Sequence, residues 1–317
     1  MKYLMTAALA AVILAGPAAA QDYPSKAVTI VVPYSPSGSA DPVARFIAGE
    51  LQEKWGQPVV IENRPGAGAT IGTAYVATAP ADGYTIMLTT SAYTTAPAVY
   101  DDLPYDPIND LKAVALPATS QFVVTAGPEF EADSLSELME IADDREYFLA
   151  TAGLGSSTHF AGELLSAAIG LNAVPVHYPG GSDAMVDLMG GRADIYVGSA
   201  TAVLGNVKGG QIKALGVFGA ERADALPDVA STEELGIKGA SSGFWLGVFA
   251  PGETSDEIVE KINADMIEVL STEEGKAFLA TLDSTLSTMS PAEVSELVAA
   301  EIDQWKVLAA DRGIKAE

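Results

Sequence analysis

Apolar residues recur along the chain in two periods, and the alternation between them predicts the fold class before any motif is considered. Val28-Thr29-Ile30-Val31-Val32 is a short apolar run rich in β-branched residues, the mark of a strand buried on both faces. After the small-residue stretch 34–40, Val43, Phe46, Ile47 and Leu51 fall on one helical face over 41–54. Asp41 reads as its N-cap, Pro42 as its first helical residue, and Gly56 with Pro58 as its stop. Val59-Val60-Ile61 is the next strand. This order predicts a βαβ unit on a parallel sheet.

A second unit follows: a glycine-rich turn over 64–68, a helix over 70–79, a breaker at 80–83 and a strand over 84–88 that exits through Thr89, Thr90 and Ser91. From Phe122 the rhythm resumes with a strand over 122–125, a helix opened by the capping box Ser134 to Glu137, and a strand near 147–151. The loop 152–157 opens another helix, 174–177 is a strand, and Gly180-Gly181-Ser182 heads a short helix that ends at Gly190-Gly191. Strands at 194–198 and 212–218 complete this part. A last strand over 245–250 leads into three helices, predicted to start at the boxes Thr254/Glu257, Ser271/Glu274 and Ser290/Glu293. These helices have few strands of their own to cover, which sends them back to the first unit. The expectation is a two-domain α/β protein: domain 1 over 21–121 and 244–317, domain 2 over 122–243, two crossings, and a ligand cleft between the domains.

Composition adds a compartment. Lys2, the apolar stretch Tyr3 to Ala15 and Ala18-Ala19-Ala20 read as an export signal over 1–20, cleaved near Ala20/Gln21. Its apolar part stops at Gly16-Pro17, short of the roughly 20 residues of a membrane span. The chain has no cysteine, so neither disulfides nor a lipidated cysteine hold it, and a soluble periplasmic monomer is expected. The formal charge of −25 argues against nucleic acid and anionic membrane surfaces, which require a basic footprint.

Candidate chemistry narrows by elimination. Two histidines, His159 and His177, on separate elements, with no cysteine and no Asp-x-Asp-x-Asp-Gly loop, do not make a metal site. Gly66, Gly68 and Gly72 have the wrong spacing for a dinucleotide loop and no phosphate-loop lysine follows, so no cofactor is expected. Ser156 or Ser157 with His159 would be the nucleophile and base of a hydrolase, but no G-x-S-x-G elbow is present and serines at a helix start suit capping. What remains is anion recognition. The loops 35–41 and 152–158 and the turn at 180–182 each precede a helix N-terminus, where unpaired N–H groups and the helix dipole favour negative charge. Ser35, Ser37, Ser39, Ser156, Ser157, Thr158 and Ser182 add hydroxyls, a pattern suited to a carboxylate.

Residues 23–72, from "YPSKAVTIVVPYSPSGSADP" through "ENRPGAGATIG", resemble the start of the Bug-type solute-binding proteins of tripartite tricarboxylate transporters. The likeness continues through "DGYTIML", "LPYDPINDL", "ATAGLGSSTHFAGELL", "VHYPGGSDAMVDLMGGRADI" and "GFWLGVFAPGET". The resemblance implies a type II periplasmic-binding-protein fold that closes on a carboxylate and delivers it to a membrane permease, with no catalysis. It carries ligand contacts onto Ser35, Ser37, Gly38, Ser39, Ala40 and Asp41; onto Thr90 and Ser91; onto Gly155, Ser156, Ser157, Thr158 and His159; and onto Gly181 and Ser182, with Gly198 and Ser199 as further candidate contacts. Two departures bear on the ligand. Relatives often carry an aspartate for a ligand ammonium where this chain has Gly198, followed by Ser199, and the usual lysine of "Y-K-G" is Pro179. A carboxylate without an amine is therefore expected. Phe244 and Trp245, at the second crossing, are candidates for hinge, core or aromatic-ligand contact, with core the default. The open alternatives are a binding protein that feeds a membrane sensor and a periplasmic serine hydrolase.

Overall fold

The computed structural model describes residues 23–36, 38–240 and 242–315; the expected leader and Ser37 lie outside them. In chain order the elements are β1 (Val28–Val32), α1 (Asp41–Trp55), β2 (Val59–Asn63), α2 (Thr70–Ala77), β3 (Thr85–Thr90), α3 (Ala92–Val99) and β4 (Leu111–Ala126). Then come α4 (Leu135–Glu140), β5 (Tyr147–Thr151), α5 (Ser157–Ile169), β6 (Ala173–His177), α6 (Gly181–Met189), β7 (Ile195–Ser199), α7 (Ala200–Lys208) and β8 (Lys213–Val217). The return segment holds β9 (Gly243–Pro251), α8 (Asp256–Ser271), α9 (Glu273–Thr281), β10 (Ser284–Thr285) and α10 (Pro291–Arg312).

The strands run in the order β2-β1-β3-β9-β4-β7-β5-β6, with β8 and β10 also paired to β4. β1 lies parallel to β2 and β3, and β5 parallel to β6 and β7, as the βαβ rhythm requires. β4 and β9 run antiparallel to their neighbours and join these two parallel groups. The strand expected over 122–125 is only the end of β4. Its first part pairs with β9 as far as Gln121↔Gly243, and from Phe122↔Ser199 onward it pairs with β7. Residues 111–121 show no alternation, and Pro117 interrupts them. In the fold Pro117 sits where the β4–β9 register skips from Ala115 to Ala118, a place where its missing N–H breaks no ladder.

The helix starts that the sequence marks are met to within one residue. Ala40 is the N-cap of α1, not Asp41, which lies in the first turn. α8 is capped by Ser255 and α9 by Thr272, each one residue beyond the predicted Thr254 and Ser271. At 254 the reason is a turn: Thr254 N–H bonds Pro251 O, which delays the helix. Only Ser290 and Glu293 close a full capping box; at Ser134 the partner Glu137 bonds the N–H of Asp133 instead.

The return helices pack on the first group of strands. Asn263 of α8 donates to Val114 O at 2.9 Å, Trp55 of α1 donates to Asp265 at 2.6 Å, and Phe46 stacks on Phe278 with centroids 4.2 Å apart. Phe244 and Trp245 are core. Each is 3% exposed; Phe244 meets Phe122 edge-on, and the Trp245 indole donates to Glu301.

Candidate functional site

The loop after β1 is held from below by the first residues of the Glu62-Asn63-Arg64-Pro65 phrase. Asn63 Nδ2 donates to Tyr34 O and to Asp41 Oδ1, both at 3.1 Å, and so ties the loop's two ends together. Arg45 adds a two-pronged contact to the Asp41 carboxylate at 2.8 and 3.1 Å. Asp41 therefore serves as a loop anchor whose charge is matched. Tyr34 turns its hydroxyl toward the end of β3, at 3.0 Å from Thr89 Oγ1 and 2.8 Å from Thr90 Oγ1. Burial raises the Tyr34 pKa, against the lowering effect of those bonds, and the phenol stays neutral. Between the anchors Ser35 is exposed, Gly38 and Ser39 are half-buried and Ala40 is buried.

The end of β3 is tighter. Ser91 N–H bonds Trp245 O at 3.0 Å, and Thr90 Oγ1 accepts from Ala92 N–H at 3.2 Å. Ser91 Oγ is fully enclosed and has no hydrogen-bond partner. Such a hydroxyl costs free energy unless something satisfies it. A neighbouring turn, which the sequence pattern assigns only to chain reversal, has three successive left-handed residues, Ala67 (φ 46), Gly68 (φ 61) and Ala69 (φ 79). Two are alanines, which disfavour this region by roughly 1–2 kcal/mol each. The turn lies against the second group of loops: a Cβ placed on Gly68 would stand 3.5 Å from Leu154 O.

On that opposite side, Ser156 caps α5 by accepting His159 N–H at 3.2 Å and contacts Thr158 Oγ1 at 3.0 Å. Thr158 Oγ1 also accepts Ala152 N–H at 2.8 Å, which closes the loop on itself. His159 Nδ1 takes the Gly155 N–H at 3.3 Å and is paired with neither serine hydroxyl. The ring lies edge-on to His177 at 4.7 Å, and His177 Nδ1 is 2.8 Å from Thr151 Oγ1. Burial, reinforced by His177, lowers the His159 pKa to about 4, so the imidazole is neutral at pH 7.

Tyr196 fills the space beneath the remaining predicted residues. A Cβ on Gly181 would come within 2.8 Å of its hydroxyl, and one on Gly198 within 2.4 Å of its ring. Gly198 is thus the smallest residue because a tyrosine occupies the room a side chain would need. Ser199 is buried at the start of α7, whereas Ser182 is exposed on α6 with Asp183 beside it in the first turn. That carboxylate disfavours an anion there, so the 180–182 turn is the weakest of the three predicted donor loops.

The loops from the two groups of strands meet. Thr95 Oγ1 of α3 donates to Gly155 O at 2.5 Å, Tyr100 OH lies 3.5 Å from Leu154 O, and Phe160 of α5 packs edge-on against Trp305 of α10 at 5.4 Å. Helix capping differs by position. Among the described residues α1, α3, α6 and α7 start without a side-chain cap, whereas α4, α8, α9 and α10 are each capped by a serine or threonine. Most helix starts that follow a parallel strand toward the site therefore lack a side-chain bond from the N-cap residue, and those elsewhere have one. α5, capped by Ser156, is the exception. No cluster of three or more metal-ligating side chains occurs among the described residues.

Residues 43–314 match the family described as tripartite tricarboxylate transporter family receptor. The chain belongs to this receptor family. Protein BugT of Bordetella pertussis is 32% identical over 306 residues, 95% of this chain and 94% of BugT. The solved structure of R. palustris Rpa4515 with adipate matches with a TM-score of 0.89 at 31% identity, over 93% of this chain and 100% of that one. MatC from Rhodopseudomonas palustris with bound malate matches with a TM-score of 0.84 at 30% identity, over 90% and 99% of the two chains. The fold is accordingly the α/β fold of periplasmic binding proteins expected from the sequence. As a receptor-family member the chain is a solute-binding protein, and Tyr34, Asn63, Tyr196 and the turn 67–69 are parts of the candidate site that local sequence pattern does not single out.

Proposed function

We propose that this receptor captures a small carboxylate between the loops after β1 and β3 on one side and the loop 152–159 on the other. Rotation about β4 and β9 closes the site, and the bound solute is delivered to the permease subunits of a tripartite tricarboxylate transporter. The observation that carries the reading is the enclosed Ser91 hydroxyl without a partner, at the start of a helix that has no side-chain cap. An acceptor arriving there satisfies both the hydroxyl and the helix N–H groups. Adipate and malate, present in two of the similar structures, are both dicarboxylates and support that ligand class. Neutral His159 and the absence of a side chain at Gly198 favour an acid without an amine.

In this reading domain 1 comprises residues 21–121 and 244–317 and domain 2 residues 122–243, in line with the exchange of partners along β4 after Gln121. The protein is exported to the periplasm, loses residues 1–20 and acts as a monomer. The test is a thermal-shift screen with malate, adipate, a tricarboxylate and an aromatic carboxylate, followed by calorimetry. At least one dicarboxylate is expected to raise the melting temperature by mass action. No shift across the panel refutes the ligand class, and co-purification with the permease tests the delivery step.

A further inference from the structure

Glu301 lies on α10, far in sequence from every loop of the site, and it completes a circuit of hydrogen bonds around Ser91. Trp245 Nε1 is 3.1 Å from both of its carboxyl oxygens, and Thr94 Oγ1 is 2.7 Å from Oε2. Thr94 Oγ1 is also 2.9 Å from Ser91 O, the usual back-bond of a helical threonine, and Ser91 N–H bonds Trp245 O at 3.0 Å. Thr94 therefore stands between two acceptors with a single hydroxyl proton. If Glu301 were ionised, Thr94 would have one proton to share between two short contacts to acceptors.

We infer that Glu301 is a neutral acid in the folded protein, donating from Oε2 to Thr94 so that Thr94 can donate to Ser91 O, and that it is thereby a positioning residue for Ser91. The proton then satisfies the whole circuit: Oε1 accepts the Trp245 indole, and Ser91 is fixed at its carbonyl and its N–H while its own hydroxyl stays free. The groups facing the carboxyl from α3 and β9, Thr94 and Trp245, are uncharged, and Trp305 beside it on α10 is uncharged too. The nearby titratable residues are engaged elsewhere: Tyr93 with Pro107 O, Tyr100 with Leu154 O, Lys112 of β4 with Asp256, and Lys261 and Asp265 of α8 with each other. On α5, His159 and Glu163 face each other at 3.8 Å. Burial raises the Glu301 pKa over the lowering effect of the Thr94 and Trp245 bonds, the direction that the proton count favours.

The consequence for ligand binding rests on the reading of Ser91 given above, but the protonation is a property of the free protein and is tested without ligand. Glu301→Gln places an amide N–H where the acid has its O–H. In the pH window above the unfolded glutamate value of about 4.3, the wild-type unfolding equilibrium should shift toward the unfolded state relative to the variant. The shift is about tenfold per pH unit until Glu301 ionises. Carbon-13 spectra of the labelled wild-type protein should show one glutamate carboxyl, assigned through its proximity to the Trp245 indole, at the protonated position at pH 7. That measurement stands even if the variant fails to fold. A Glu301 resonance titrating at or below the ordinary glutamate value, or parallel pH–stability curves for the two proteins, overturns the inference. If Glu301 proves neutral and no carboxylate binds, the proposed function falls and the protonation stands.

Discussion

Replacing Ser91 with alanine should move stability and affinity in opposite directions. The Ser91 hydroxyl is enclosed, unpartnered and makes no capping bond to α3, so its removal breaks no interaction of the free protein. It does remove a desolvated polar group, for which the usual penalty is about 1–3 kcal/mol. Part of that gain is lost to the small void left by the oxygen, so the free Ser91→Ala protein should be more stable by about 1 kcal/mol, roughly 2–3 °C in melting temperature for a chain of this size. Binding should weaken, because the ligand loses a donor that is already desolvated and held in place. A net hydrogen bond to a charged acceptor is worth about 1.5–3 kcal/mol, which corresponds to at least a tenfold loss in affinity. The assay is a melt of both proteins without ligand, then calorimetry with the dicarboxylate that gives the largest shift. A variant that melts lower and binds with unchanged affinity would refute both the unsatisfied state of the hydroxyl and its place in the site.

Three further outcomes follow from the geometry. Gly198→Asp should destabilise the fold by about 3 kcal/mol or more by overpacking, since its Cβ would stand 2.4 Å from the Tyr196 ring and 2.7 Å from Val203; denaturant unfolding reads this, and a wild-type midpoint would contradict it. Asn63→Ala should cost about 1–2 kcal/mol of stability and, by releasing both ends of the 34–41 loop, weaken ligand binding more than it lowers the melting point; calorimetry beside a melt separates the two effects. His159, with its pKa lowered to about 4, binds no proton in the fold between that value and the unfolded value of about 6.5, so stability should fall as pH drops through this window by up to about 3 kcal/mol and then level off. Acid titration of the melt should show that slope, and His159→Gln should remove it.

Local pattern carried the elements whose ends are marked by their own residues. β1 and β5 have the predicted limits, and α5 begins at the last residue of its expected loop. Caps slipped by one at Thr254 and Ser271 because adjacent serine and threonine residues compete for the same role; a turn holds Thr254 back, and Ser271 still belongs to α8. α3 and α7 are not visible in the pattern. Ala92-Tyr-Thr-Thr-Ala-Pro-Ala-Val has no helical stripe and carries Pro97, and it becomes a helix by packing on α10. The loops of the candidate site could be located because serine and glycine before a helix have a local meaning. Their supports could not: Tyr34, Asn63, Tyr196 and Glu301 act across separations of many residues, and only the fold brings them to the loops. The one advance signal was the Glu62-Asn63-Arg64 phrase, distinctive of the family resemblance, whose asparagine ends β2 and anchors the loop.

β4 has a mechanical consequence. Its sixteen residues run as one strand, with a register skip at Pro117, that is central to one group of strands at one end and paired into the other group at the far end, so no loop lies at that crossing. Reorientation of the halves must be taken up as torsion along backbone that stays hydrogen-bonded, with an elastic restoring force and little gain in chain disorder. In the proposed closure the travel of the two halves is thus limited by how far two adjacent strands can be wrung, and a flexible insertion beside Gln121 would remove the spring without touching the candidate loops.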